Sequence, residues 1–252
     1  MLILLSNLSG VPFYKDVSLN DIGVSGFEVD EKGNFYFFGG EKTACLAAFS
    51  GDRQLYRKPY REFSGGSKLH LYKNNLYSYL FDANGDPIFI RINVANGSYS
   101  KINNSLTSKK HFASSIVDSS IVFEEHGEGR DSIYYEQYSL AGAYIKRALN
   151  LYNTPFINLP DKDCEFAGTW NGNYVFWGIP ESKVYVEKLW LVDKTGKILA
   201  SRTLPEGFSG RGYAENPEED RKVRNGSLYV LGRRGHFALI TEVPLQTFFN
   251  IH

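Results

Sequence analysis

Five short segments of the 252-residue chain share one pattern, a turn that opens onto an apolar, aromatic run. They are K-G-N-F-Y-F-F (32–38), K-N-N-L-Y-S-Y (73–79), D-S-S-I-V-F-E (118–124), N-G-N-Y-V-F-W (171–177) and N-G-S-L-Y-V-L (225–231). Superposing them on Tyr36, Tyr77, Val122, Tyr174 and Tyr229 gives spacings of 41, 45, 52 and 55 residues. Each turn joins two runs rich in Val, Ile, Phe and Tyr, which is how a β-hairpin reads. A second turn follows in four of the units, at F-S-G-D-R (49–53), V-A-N-G-S (94–98), S-L-A-G-A (139–143) and D-K-T-G-K (193–197). Strand-like runs lead in and out of it, so each unit holds four strands in up-and-down order. A period of this length is the size of one self-contained sheet that must bury its faces against neighbouring copies.

Repeat length and turn placement over nearly the whole chain resemble those of β-propeller repeat proteins, without the signature of any one family among them. The resemblance implies an all-β, five-bladed propeller of four-stranded antiparallel blades, one domain over residues 1–252. The blades are expected at 24–60, 67–103, 112–150, 164–205 and 220–252. In the last unit the second turn would fall at residue 250, leaving its outer strand to be supplied from elsewhere. The apolar stretch L-I-L-L-S (2–6), within a closing segment 1–8, is expected to pair beside the strand near 236–243 and close the ring, which also removes an exposed edge. Only N-P-E-E-D-R-K (216–222) reads as a brief helical turn.

Composition narrows the functional classes. Lys plus Arg equals Asp plus Glu at 28 each, so no basic field exists to draw nucleic acid. No stretch is apolar enough to cross a bilayer, and the four apolar residues after Met1 are too few for a signal-peptide core. Cys45 and Cys164, the only cysteines, stand in no metal-ligand spacing and read as two buried thiols, with a disulfide between them the alternative. The sequons at Asn7, Asn96, Asn103 and Asn225 leave the compartment undetermined. A monomer without cofactor or metal is expected.

Propellers bind ligands where the outer strand of one blade passes to the inner strand of the next. The polar residues at the entrances of the inner strands are Glu28, His70, His111, Ser114, Glu165, Arg211, Tyr213 and Arg221. Glu28 and Glu165 are the candidate catalytic pair, since glycoside cleavage needs an acid and a base or nucleophile across the sugar. His70, His111, Ser114, Arg211, Tyr213 and Arg221 are the candidate ligand-binding set. Five-bladed glycosidases, which this architecture resembles, use three acidic residues from different blades. Here the second and third blades offer nothing acidic at the matching places.

Other motifs carry less. D-A-N-G-D (82–86) starts like a calcium loop but has Asn93 where a bidentate Glu is required, and reads as a hairpin turn. E-E-H-G-E-G-R-D (124–131) reads as a solvated loop between middle strands, as does R-R-G-H-F (233–237). No nucleophile elbow, phosphate loop or dinucleotide fingerprint occurs. The expectation is a non-catalytic binding propeller for a protein, peptide or glycan. The alternative is a glycan-active hydrolase or lyase. Trp170, Trp177, Tyr152 and Tyr213 are the rings that could stack on sugar faces.

Overall fold

A computed structural model of the chain describes residues 17–18, 24–40, 43–51, 53–64, 69–102, 113–117, 119–126, 133–148, 164–178, 187–204, 221–234 and 237–250. Its five antiparallel sheets make the protein an all-β, five-bladed β-propeller. By packing, the chain falls into two compact units, Asp21–Asn153 on one side and Met1–Asn20 with Thr154–His252 on the other. The first strand, β1 (Val17–Ser18), belongs to the fifth sheet.

Three blades build the unit Asp21–Asn153. The first is β2 (Val24–Val29), β3 (Asn34–Gly39), β4 (Ala44–Ser50) and β5 (Arg53–Tyr60), in that order. In the second, β7 (Leu69–Tyr72), β8 (Asn75–Asp82), β9 (Pro87–Asn93) and β10 (Tyr99–Lys101) pair successively, and a short β6 (Phe63–Ser64) also pairs with β8. The third is β11 (Ala113–Val117), β12 (Ser120–His126), β13 (Ile133–Ser139) and β14 (Tyr144–Ala148). Their innermost strands are neighbours in the order β2, β7, β11.

The hairpins form where local chemistry demands them. Asp30 Oδ1 accepts the N–H of Lys32 at 2.8 Å and of Asn34 at 2.9 Å, while Gly33 takes φ +75°. Asp82 repeats the arrangement toward Asn84 and Asp86 with Gly85 at φ +78°, so the calcium-like stretch is a hairpin loop.

Both faces of an inner strand are covered, which explains the near-continuous apolar runs. Tyr36, Phe38, Leu46 and Ala48 of the first blade pack with Leu69, Leu76, Leu80 and Ile90 of the second. On the second blade's other face, Tyr77, Tyr79 and Phe89 pack with Ile121 and Tyr138 of the third. Burial fades outward. Seven of the eight β5 residues are exposed or half-exposed, and Tyr144 and Ile145 of β14 are 55% and 49% exposed.

Two blades build the other unit. The fourth is β15 (Glu165–Trp170), β16 (Asn173–Gly178), β17 (Lys188–Val192) and β18 (Ile198–Thr203). The fifth is β19 (Arg221–Arg224), β20 (Ser227–Arg234), β21 (Phe237–Pro244) and then β1. Val17 pairs with Ala238 and Ser18 with Phe237, so the N-terminal segment supplies this sheet's fourth strand. That strand is at Val17–Ser18; residues 2–6, where it was expected, lie outside the described residues. The helical turn expected over 216–222 does not reach Arg221 and Lys222, which open β19; 216–220 lie outside the described residues. A helix the sequence reading missed, α1 (Leu245–Phe249), follows β21 and buries Leu245, Phe248 and Phe249. It ends on Asn250 at φ 53°, a left-handed cap. The core joining the fourth and fifth blades includes Trp177, Leu189, Leu191, Val223, Leu228 and Val243.

Candidate functional site

Of the candidate residues, Glu28, His70, Ser114, Glu165 and Arg221 lie on inner strands, and their surroundings differ. Glu28, on β2, is fully buried, and its Oε2 accepts the N–H of Val29 at 3.4 Å. His70, on β7, is 6% exposed. Residues directly opposed across two strands share a face of the sheet. Glu28 stands opposite Tyr36, whose face packs on the second blade. His70 stands opposite Tyr77, whose face packs on the third. The two residues therefore occupy successive gaps between blades rather than one pocket. Ser114 lies on β11 in register with Phe123. Glu165 opens β15 in register with Trp177, in the other unit. His111, Arg211 and Tyr213 lie outside the described residues.

Arg221 has the fullest surroundings. It is the first residue of β19, Trp177 is near the end of β16, and Glu187 immediately precedes β17. Arg221 thus stands where the chain enters the fifth blade, while Trp177 and Glu187 flank the connection from β16 to β17 within the fourth; in an up-and-down sheet these strand ends fall at the same end. Arg221 Nη2 donates to Glu187 Oε1 and Oε2, each at 2.6 Å, and Nε donates to Oε2 at 3.1 Å. The guanidinium lies 3.8 Å from the centroid of the Trp177 ring. The side chains of Arg221 and Glu187 are 1% and 3% exposed. A planar, weakly hydrated cation is the residue type that can fork onto a carboxylate while stacking on indole. The backbone of Glu187 is pinned in turn, its carbonyl accepting Leu204 N–H at 2.8 Å. The fourth and fifth blades are thereby tied at this end by a charge pair that water does not reach.

Sequence reasoning singled out Arg221 and missed Glu187, 34 residues earlier, because no local signal links them. It took Trp177 and Trp170 as rings that could meet a sugar. Both are inside the unit: Trp177 lies against Arg221, and Trp170 stacks on Phe249 at 6.1 Å between centroids. A second feature also went unread. The tyrosine that marks the repeat stands directly opposite a buried ionisable residue of the inner strand in three blades, as Glu28–Tyr36, His70–Tyr77 and Lys222–Tyr229.

These tyrosines are held protonated. Burial, then a hydrogen bond to Asp30 Oδ2 at 2.9 Å, pushes the Tyr36 phenol far above its ordinary range. Burial and the neighbouring Glu242 carboxylate, which accepts its hydroxyl at 3.2 Å, do the same to Tyr229. Burial raises Tyr77 as well.

Among the described residues no three His, Cys, Asp or Glu side chains gather as metal ligands. Cys45 is buried and Cys164 is half-buried. No helix among the described residues is long and apolar enough to cross a membrane.

No family model and no curated protein matches the chain. Solved structures of propeller proteins do. A GH43 endo-arabinanase from Bacillus licheniformis is similar at 11% identity, over 90% of this chain and 95% of that one, with a TM-score of 0.47. A GH43 beta-xylosidase/alpha-arabinofuranosidase from a compost microbial metagenome is similar at 7% identity, over 92% and 93%, with a TM-score of 0.48. The WD40 beta propeller domain of Doa1 is similar at 12% identity, over 92% and 70%, with a TM-score of 0.37. Chemistry does not carry over at such distances, and the propeller fold of this chain rests on its own five sheets.

Proposed function

We propose that the protein is a non-catalytic binding propeller, recognising a protein, peptide or glycan at the face where the chain passes from blade to blade. The observation that supports this reading is the capture of Arg221. A cation at the entrance of an inner strand is held by both oxygens of Glu187 and covered by Trp177, so it braces the face and is not poised for proton transfer. A braced rim loses little freedom when a partner docks, which favours recognition.

Thermal denaturation of the purified chain with a panel of oligosaccharides, each followed by product analysis, tests the proposal. A ligand present at about one hundred times its Kd adds about 2.7 kcal/mol and raises Tm measurably. A shift without cleavage supports a binding role. Sugar release that disappears in Glu28→Gln or Glu165→Gln would replace this reading with that of a carboxylate-based glycan hydrolase.

A further inference from the structure

We propose that the outer edge of the first blade, strand β5, is a docking edge for an acidic peptide segment that adds to the sheet as a further strand. The site lies at the opposite edge of its sheet from Glu28, on β2, and is independent of the role proposed for the inner strands.

Three observations carry it. First, β5 ends its sheet, so among the described residues one side of an eight-residue strand faces no partner strand. Such a side presents a row of main-chain donors and acceptors that an extended chain can complete. Second, the edge is basic in a chain whose net charge is zero. Arg53, Arg57, Lys58 and the adjoining Arg61 are all exposed, against one exposed carboxylate among the described residues of this stretch, Glu62. Third, an open cavity of about 350 Å³ lies over the β4–β5 pair beside this edge, lined by Thr43, Cys45, Arg57 and Pro59. It offers a partner's side chain a place beside the guanidinium.

The strand is also held in place before any partner arrives. Tyr56 donates its hydroxyl to the Val94 carbonyl and Tyr60 to the Gly97 carbonyl, both at 2.8 Å, which clamps β5 to the β9–β10 turn. Gly97 sits at φ +69°, and a Cβ there would come within 2.7 Å of Lys58 Cγ, so the aliphatic stem of Lys58 lies flat on the glycine. A pre-formed edge lowers the ordering cost of strand addition.

Charge chooses the occupant. A second copy of the same strand would bring cations against cations, so self-pairing is disfavoured. An acidic segment meets complementary charge on both faces of the strand, Arg53 and Lys58 on one and Arg57 on the other. Main-chain pairing and a side-chain cavity suit a peptide better than the uniform backbone of a nucleic acid or a lipid surface.

The test is isothermal titration of the full chain with the blocked peptide Glu-Val-Glu-Val-Glu-Val-Glu at about 50 mM and about 300 mM salt. The same peptide N-methylated at alternate residues, a single-stranded oligodeoxynucleotide and phosphatidylserine vesicles are titrated alongside. We expect the peptide to bind and to weaken as salt rises. Arg53→Glu with Arg57→Glu, both at exposed positions and checked for unchanged Tm, should weaken it about tenfold or more, as should N-methylation. The proposal is overturned by no peptide binding at low salt, by equal binding to the charge-reversed chain, or by equal binding of the N-methylated peptide. Binding of the oligonucleotide or the vesicles in place of the peptide overturns it too.

Discussion

Glu187 and Arg221 stabilise the second unit only as a pair. Each charge is desolvated, and each is tolerable because the other is within hydrogen-bonding distance. Glu187→Gln or Arg221→Met alone should lower the unfolding free energy by about 3–5 kcal/mol in urea titrations. Replacing both by Met should restore most of that loss, because two well-packed apolar chains strand no charge. A double variant as unstable as the worse single one would show that the guanidinium matters for its packing on Trp177 rather than for the pair. Gly97 is a different case, set by backbone alone. Its left-handed φ and the approach of Lys58 leave no space for a Cβ, so Gly97→Ala should destabilise by about 1–2 kcal/mol, read by the same titration. The glycine was legible in V-A-N-G-S because a turn's need for positive φ is written in adjacent residues. The Arg221 partner was not, because its other half sits 34 residues away and no local pattern links the two.

Among the elements, β15 shows how closely two inner strands can approach. Its register shifts between Phe166 and Gly168, a bulge, and Gly168 adopts φ +147°. A Cβ there would meet Val223 Cβ at 2.8 Å and Val223 O at 2.9 Å, on the neighbouring strand β19. Gly168→Ala should therefore destabilise by about 2 kcal/mol or more, measured by chemical denaturation. Adding Val223→Ala should not rescue it, since alanine keeps both the Cβ and the carbonyl. Rescue would place the conflict in the Val223 methyls instead. The hairpins were readable in advance for the reason that Gly97 was. Asn171–Gly172 and Asn225–Gly226 each place both residues at positive φ, as two-residue loops between twisted strands require. The strand at Val17–Ser18 and the helix α1 were not readable. Two residues carry no periodicity, and the five of α1 are helical because Leu245, Phe248 and Phe249 find a core to enter.

Across the molecule, the buried tyrosines set an alkaline limit. Tyr36, Tyr56, Tyr60, Tyr77, Tyr79 and Tyr229 all have raised values, with burial the first cause in each, and Tyr56 is pushed up to about 12. An unfolded tyrosine loses its proton near pH 10, whereas these keep theirs when folded. Above that pH the native state binds more protons than the unfolded one, so stability falls as pH rises. Unfolding free energy should thus hold constant toward pH 10 as far as these groups are concerned, and decline from there through pH 12 and beyond. Absorbance at the phenolate band should show a delayed fraction titrating with unfolding. A full tyrosine complement titrating near pH 10 in the folded protein would contradict the burial. The period of the repeat, its turns and the all-β architecture could be read from residue order, because turn propensity and strand alternation act over a few neighbours. Which rings went inside, which strand completed the fifth sheet and how Arg221 was neutralised depended on contacts between distant segments. Desolvation is decided by everything that surrounds a group, and residue order alone does not say what that will be.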